Sequence, residues 1–522
     1  MLQLKKILNN SISVLFRILI AVALFFILIS TFIPYNEYFK RNLVLGNAIL
    51  MLFGIIFFSL LYWCFECFDF QRFKIKSGVI LIVLFVVQVI IALCSMYGTG
   101  WDAGTLTEDA YNLAVGNSFE PGYYSHYTNN MLSLVIYAKL FSLATHIGLS
   151  SYISAYGFCV VFNCIVYYCV GLLLADSIYK LTGDKKMQSL GFLVCYVFVC
   201  ISPWNFVLYT DSLGIIFPVL VLWIYLSINK ENSVKKTIIK WIVLLLVSII
   251  GFHIKAESLI MLIAIVISHS VYVLVENKGV EIVKELVPII LILVLLVPAF
   301  KLGSYSVIKT FESETGMEHD REKSFSMFHW LMIGMNVDSD GTFNGEDDNF
   351  SHYISDREER VSQNKKVIKK RLKEMGPSGF CELMIHKLIL NYNDGSFGNG
   401  LDGEGFITDK FSEDTPANSG IRFFYRPDHK GFPVYLNLTQ LMWLGILFFS
   451  LFIKNEWNYR FIMLSIIGLS AFVMLFEAQP RYLIVFAPIY VITGILGMSN
   501  FFDIAKKREY LTKLKSIVNK RK

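Results

Sequence analysis

Two carboxylates follow the third long apolar segment of the chain and are placed for acid–base chemistry. Asp102 stands in the sequence GWDAG (100–104), and Asp109 lies about two helical turns later. A carboxylate at a membrane boundary can act as a general base that takes the proton from a hydroxyl group. The alternative is an ordinary loop acid beside an interfacial tryptophan, Trp101. We identify Asp102 and Asp109 as candidate catalytic residues and Trp101 as a candidate substrate contact.

Further acids and two single cations stand at the ends of later apolar segments. Asp211 opens one segment, and Lys255, Glu477 and Arg481 stand in short turns between others. A lone cation at the outer face of a membrane, where basic residues are disfavoured, requires an anion, and a phosphate suits it. The alternatives are that Asp211 caps its helix and that the two cations pair internally with neighbouring glutamates.

Aromatic and amide side chains are concentrated in YYSHYTNN (123–130). Aromatic rings stack on sugar rings and amides bond hydroxyl groups, so Tyr127, Asn129 and Asn130 are candidate sugar or acceptor contacts. An aromatic belt at the membrane interface is the alternative explanation.

The sequence predicts neither a metal nor a cofactor. The acidic run EDD (346–348) can attract a divalent cation, but adjacent loop acids are usually solvated. The P-loop, the dinucleotide fingerprint and the zinc-protease motif are absent from the sequence. The basic residues of 356–373 are interpreted as a charged helix face and not as a nucleic-acid patch.

Composition defines the class of protein that must position these residues. Of 522 residues, 55% are hydrophobic and 17% are charged, whereas soluble domains are about 25% charged. These values exclude a soluble enzyme, a disordered chain and a secreted disulfide scaffold. They indicate an all-α polytopic membrane protein of about 12 (11–13) transmembrane helices. The predicted spans are 14–33, 43–63, 78–98, 152–178, 187–203, 211–229, 238–252, 257–276, 286–301, 436–453, 459–476 and 481–499.

The distribution of basic residues predicts the topology. A cytoplasmic N-terminus and twelve crossings place Arg72, Lys74 and Lys76 and the basic tail inside, and leave few basic residues, such as Lys40 and Arg41, in the short outer loops. The apolar run 131–149 is then a re-entrant or interfacial helix in the first outer loop.

The chain therefore divides into four parts by sequence. These are an N-terminal transmembrane pair (1–77), a transmembrane core (78–301) containing the first outer loop (99–151), an extracytoplasmic region (302–435), and C-terminal helices with a basic cytoplasmic tail (436–522). Within the extracytoplasmic region, a helix over 356–374 should stop at MGP (375–377). The following segment, 379–393, is amphipathic and is expected at the membrane surface.

At these motifs the chain resembles the GT-C superfamily of membrane glycosyltransferases, which includes protein O-mannosyltransferases and aminoarabinose transferases. Within it, the chain is similar to a glycosyltransferase-like group of integral membrane proteins of Gram-positive bacteria. The matching motifs, in order, are WD (101–102), YTNN (127–130), YTD (209–211), FNGED (343–347), DGSFG (394–398) and EAQPRY (477–482). Thr128 stands where the family pattern has proline.

The resemblance implies a GT-C-like bundle and an inverting transfer of a sugar from a polyprenyl-phosphate donor. Asp102 would be the general base, and Asp211 and Asp109 would position hydroxyl groups. Arg481, with Lys255, Tyr482 and Glu477, would bind the lipid phosphate. The resemblance implies no metal.

The enzyme would be a multi-pass protein of the cell membrane with its active site on the extracytoplasmic face. The acceptor would be a cell-wall glycan, a teichoic acid or a protein. Three alternatives remain open. The first is a polymerase or ligase of lipid-linked glycans, the second is a transporter or flippase of lipid-linked sugars, and the third is an inactive scaffold.

A reporter fused after Lys522 is expected to read cytoplasmic, because the basic tail follows an even number of crossings. Paired enzymatic reporters active on opposite sides of the membrane measure this. An external signal would mean that 131–149 crosses the membrane, and the predicted outer-face residues would then lie on both sides.

Overall fold

The chain folds almost entirely into α-helices. The computed structural model describes residues 2–32, 45–67, 77–120, 122–228, 234–276, 280–399, 407–409 and 411–520. The first half comprises α1 (Leu2–Ser30), α2 (Asn47–Cys67), α3 (Ser77–Ser95), α4 (Trp101–Val115), α5 (Gly122–His126), α6 (Met131–His146), α7 (Tyr152–Thr182), α8 (Lys185–Cys195), α9 (Thr210–Gly214), α10 (Ile216–Leu226) and α11 (Val234–Ile254). The second half comprises α12 (Leu259–Glu276), α13 (Val280–Thr315), α14 (Met327–Gly334), α15 (Gly345–Tyr353), α16 (Arg357–Tyr392), α17 (Ser419–Tyr425), α18 (Phe432–Ser450), α19 (Trp457–Leu475) and α20 (Ala487–Lys520).

Nine helical segments within the described residues are long and apolar enough to cross a membrane, which confirms an all-α polytopic membrane protein. These are Asn47–Cys67, Gly78–Ser95, Tyr152–Thr182, Lys235–Ile254, Ala256–Glu276, Glu285–Thr315, Phe432–Ser450, Trp457–Leu475 and Pro480–Lys507. The apolar helices Val14–Ser30 and Thr210–Leu226 are shorter. In the predicted span 187–203, α8 continues as a π-helical turn over Tyr196–Cys200, and this segment is not one of the nine. The count of twelve therefore remains a prediction.

Large apolar side chains on the outer faces of α2, α3 and α13 are exposed. Ile82 and Leu302 are each 66% exposed. A soluble protein would bury such a continuous apolar surface, whereas a lipid bilayer solvates it. These faces therefore mark the lipid-contacting side of the bundle.

The predicted first outer loop contains two helices that pack against each other. α4 lies against α6, with the rings of Tyr111 and Phe141 in edge-to-face contact at 5.5 Å. α6 has 16 residues, so it is about 24 Å long, shorter than the ~30 Å hydrocarbon core. This length favours the predicted placement of 131–149 without a crossing.

The region 302–435 continues directly from a transmembrane helix. α13 has 36 residues and runs through residue 301 without a break. Its length of about 54 Å exceeds the ~30 Å core, so one end projects well beyond it.

α16 is interrupted where the sequence predicts a stop. Gly376 has φ 59° and precedes Pro377, and this breaks the helix as expected. The segment after the break does not end at a surface. The Tyr392 hydroxyl lies 2.6 Å from the hydroxyls of Tyr490 and Ser470, deep among the C-terminal helices.

A short β-ladder joins the two regions that are predicted to lie outside the membrane. β1 (Gly98–Thr99) pairs antiparallel with β2 (Ile407–Asp409). This pairing fixes the chain immediately before Trp101 and Asp102. The basic residues Lys40, Arg41, Arg72, Lys74 and Lys76, which contribute to the predicted topology, lie outside the described residues.

The packing of α2 on α18 depends on two glycines. A Cβ at Gly54 would collide with the carbonyl oxygen of Leu441 and contact the backbone of Gly445. Small residues allow membrane helices to approach this closely.

Gly54→Val is expected to destabilise the protein by about 1–3 kcal/mol through overpacking. Thermal unfolding of the detergent-solubilised protein measures the effect. The matched control is Gly78→Val, because nothing lies within 4 Å of a Cβ at Gly78. Equal losses of stability in the two variants would contradict this account of the α2–α18 contact.

Candidate functional site

Four segments that follow or precede helices bring the predicted charged residues together. We call the resulting group the charged cluster: Asp102, Asp211, Lys255, Glu257, Glu477 and Arg481. Asp102 lies in the first turn of α4, and Asp211 lies in the first turn of α9. Lys255 and Glu257 form the turn between α11 and α12, and the other two members follow α19.

Lys255 forms a buried ion pair with Asp211. The Nζ–Oδ1 distance is 2.8 Å, and Glu257 Oε1 lies 4.0 Å from the same ammonium. Asp211 is fully buried and Lys255 is only 9% exposed. Gly214 makes the approach possible, because a Cβ there would press on the Cβ of Lys255. The anion that Lys255 requires is thus supplied within the protein.

Arg481 lies among aromatic rings. Its Cζ is 4.3 Å from the ring centre of Trp101, 5.8 Å from Tyr209 and 5.6 Å from Tyr482. The rings stabilise the cation through their π-electrons. In the part of the chain that the structure describes, Arg481 has no carboxylate within ion-pair distance, and its Nε is buried without a hydrogen bond. Arg481 therefore keeps its capacity to bind an anion.

Asp102 is oriented by the hydroxyl of Tyr209, whose ring is one of the three around Arg481. Tyr209 donates to Asp102 Oδ2 over 3.3 Å, and its ring meets Trp101 edge to face at 5.1 Å. Burial and the nearby Asp102 charge raise the pKa of Tyr209 well above its usual range, so the hydroxyl remains a donor. Trp101 has a positive φ of 47°, a strained conformation for a residue with a side chain.

The segment that carries Glu477 is held by the region 302–435, which is predicted to be extracytoplasmic. Lys387 of α16, fully buried, donates to the carbonyl oxygens of Gly334 (2.7 Å) and Phe476 (2.5 Å). The Ala478 amide donates to the Gly341 carbonyl over 2.7 Å. Burial lowers the pKa of Lys387 to about 7, against the attraction of Glu477. Sequence reasoning missed Lys387; its signal is a single cation in an apolar helical stretch.

Burial also raises the pKa of the Glu477 carboxyl, although the Arg481 charge opposes the shift. Glu477 is 7% exposed. It therefore binds a proton more readily than a solvated glutamate does.

The remaining predicted residues lie beside the cluster and bind other partners. Asp109 accepts a hydrogen bond of 2.9 Å from Tyr124, and burial raises its pKa to about 6. Asn130 donates to the Tyr123 hydroxyl over 2.7 Å, and Asn129 donates to Asn130 over 3.1 Å. These contacts are structural, and their predicted roles toward sugars remain predictions.

The acidic run at 346–348 makes internal contacts. Asp347 binds the guanidinium of Arg371 through both carboxylate oxygens, at 2.7 and 3.0 Å. Asp348 accepts a hydrogen bond of 2.8 Å from Tyr127. Among the described residues, no group of three or more His, Cys, Asp or Glu side chains is arranged to hold a metal ion.

A cavity of about 680 Å³ adjoins the charged cluster. Its volume lies within the range of small-molecule sites, about 300–1,000 Å³. Lys255, Glu257 and Glu477 of the charged cluster line one end, together with Tyr482. Asn129 also lines the cavity. Asp211 and Arg481 lie behind this lining and contact Lys255 and Tyr482, respectively. Asp102 binds the hydroxyl of Tyr209, and Arg481 lies near the ring of the same tyrosine.

Most of the cavity wall is apolar. Phe252 of α11, Phe300, Val307 and Ile308 of α13, and Phe472 of α19 contribute to it. An apolar wall with charge at one end fits an amphiphile.

Exposed apolar helices around a buried charged cluster define a polytopic integral membrane protein with a ligand cavity. The chain belongs to the family described as conserved hypothetical integral membrane protein, whose model matches residues 4–502. A comparison with curated proteins finds no match.

Lys255→Met is expected to lower stability by about 3–5 kcal/mol, because it leaves the Asp211 carboxylate buried and unpaired. Adding Asp211→Asn should restore most of the loss, since the unpaired carboxylate at position 211 is then removed. Thermal unfolding in detergent measures both variants. Additive losses in the double variant would show that the pair is not coupled.

Proposed function

We propose that the protein is a GT-C-type glycosyltransferase with a bundle of about twelve spans. It would transfer a sugar from a polyprenyl-phosphate donor to an acceptor outside the membrane, either a cell-wall glycan, a teichoic acid or a protein. One observation carries the proposal. An arginine open to an anion and a carboxylate oriented by a hydroxyl both lie near Tyr209, next to an apolar-walled cavity. The order of the sequence motifs supports it.

The cavity suits the donor lipid. Isoprene units are apolar and match the walls formed by α11, α13 and α19. The phosphate would lie at the charged end, with Arg481 as the cation that offsets its charge. Lys255 is already paired with Asp211, so its contribution is to hold the Tyr482 ring, 4.5 Å from its ammonium.

The cluster provides the groups that an inverting transfer needs. Asp102 takes the proton of the acceptor hydroxyl as the oxygen attacks the anomeric carbon. The bond from the acceptor oxygen to that carbon forms, and the bond from the carbon to the phosphate oxygen breaks with its electron pair. Polyprenyl phosphate leaves with one more negative charge, which the guanidinium of Arg481 stabilises.

The charge balance of the cluster constrains this mechanism. Four carboxylates face two cations, and an anionic donor adds to the excess. Two like charges about 5 Å apart repel by about 3 kcal/mol at an effective dielectric of 20. Burial raises the pKa of Glu477, so we assign it the proton that relieves the repulsion when the donor binds.

The test compares a gene deletion complemented with wild type, Asp102→Asn or Glu108→Gln. Glu108 is the matched control, an exposed acid on the same helix. We expect the deletion to lose one sugar from the surface polymers, and wild type and Glu108→Gln to restore it. Asp102→Asn should restore less than about 1% of it, the scale of a lost general base.

Full restoration by Asp102→Asn, at equal protein levels in the membrane, would remove Asp102 from the mechanism. An unchanged sugar composition after deletion, together with a change in the sidedness of a lipid-linked sugar, would replace the transferase with a transporter.

A further inference from the structure

A second group of charged residues, from the predicted extracytoplasmic region, lines the same cavity. Its members are Arg321, Arg357 and His319, with Ser324 beside them. The two acids that line the cavity, Glu257 and Glu477, belong to the charged cluster and not to this group. This group is therefore basic, whereas the charged cluster has an excess of acids.

The two arginines are held in place by a buried neighbour. Arg360, only 2% exposed, donates to the carbonyl oxygens of Glu322 (2.9 Å), Lys323 (3.1 Å) and Ser324 (3.2 Å). The Arg357 amide also donates to Glu322 Oε2 over 3.3 Å. These bonds fix the turn of Arg321 against the start of α16, where Arg357 stands.

The Arg321 side chain is exposed, and the Arg357 guanidinium is not fully satisfied within the described ranges. Neither arginine has a carboxylate within ion-pair distance there, and Arg357 Nε is buried without a hydrogen bond. Arg357 is also the first residue of α16, where the helix dipole disfavours a cation. The Arg357 charge is thus maintained next to a cavity without an ionic partner among the described residues.

We propose that Arg321 and Arg357 form a second phosphate site, separate from Arg481, which binds a phosphodiester of the acceptor. The inference rests on the proposed function and narrows it. A polyprenyl-phosphate donor has one phosphate, which Arg481 takes. A second phosphate then belongs to the acceptor, which points to a polyol-phosphate polymer. A diphosphate-linked carrier would also supply a second phosphate, and the experiment distinguishes this source from the acceptor.

The test measures binding of three probes to the full-length protein in detergent. These are polyprenyl monophosphate, polyprenyl diphosphate and a short poly(glycerol phosphate). The variant is Arg321→Gln with Arg357→Gln. The control is Lys366→Gln with Lys369→Gln, two exposed cations of α16 that do not line the cavity, so the change in charge is equal.

We expect the arginine variant to weaken poly(glycerol phosphate) binding at least about tenfold, as the loss of two charge-assisted contacts implies. Monophosphate binding should stay within about twofold of wild type, and the control should leave all three affinities within that range. Arg481→Gln should show the reverse pattern.

Loss of diphosphate binding with unchanged polymer binding would support the phosphate site but assign it to the carrier. Unchanged affinities of the arginine variant for both the polymer and the diphosphate, or equal losses in the control, would overturn the inference. If wild type still binds the monophosphate in that case, the proposed function stays intact. Absence of monophosphate binding by wild type would count against the proposed function, whereas arginine-dependent polymer binding would still support the second site.

Discussion

The buried ion pair between Asp211 and Lys255 is the interaction on which the charged cluster depends. Each charge alone would cost several kcal/mol to remove from water, so neither residue can move away without exposing the other to that cost. The start of α9 and the turn after α11 are thereby fixed to each other at 2.8 Å. The Lys255 ammonium in turn lies against Tyr482, whose ring contacts Arg481. Lys255 therefore stabilises the fold, whereas Arg481 remains available to a ligand.

The fold class could be predicted from the sequence because a lipid bilayer imposes one simple constraint. The backbone N–H and C=O groups of an apolar membrane segment must form hydrogen bonds within that segment, as an α-helix allows. The break at Gly376 was also predictable, since glycine and proline act locally. The helix through residue 301 and the burial of Tyr392 were not. The burial of Tyr392 depends on partners distant in sequence, Tyr490 and Ser470, which hydropathy does not identify.

The candidate site was predictable only in part, for a similar reason. Lone cations at helix ends mark positions that need an anion, and the structure brings Lys255 and Arg481 close to the predicted acids. Sequence cannot say which anion serves which cation, so Lys255 and Arg481 looked alike. Their difference comes from the Trp101 and Tyr209 rings around one and the Asp211 carboxylate beside the other.

The cluster is built from segments that the ribosome produces far apart in time. At about 5–20 residues per second, Arg481 follows Asp102 by roughly 20–75 s. Asp211 and Lys255 emerge close together, so their ion pair can form while α19 is still unmade. Before α19 is made, the nascent chain has Asp102, Asp211 and Glu257 against the single cation Lys255, but it has neither Arg481 nor Phe472. The half-made protein would therefore repel an anionic lipid, and the order of synthesis would delay loading until the last helices have been inserted.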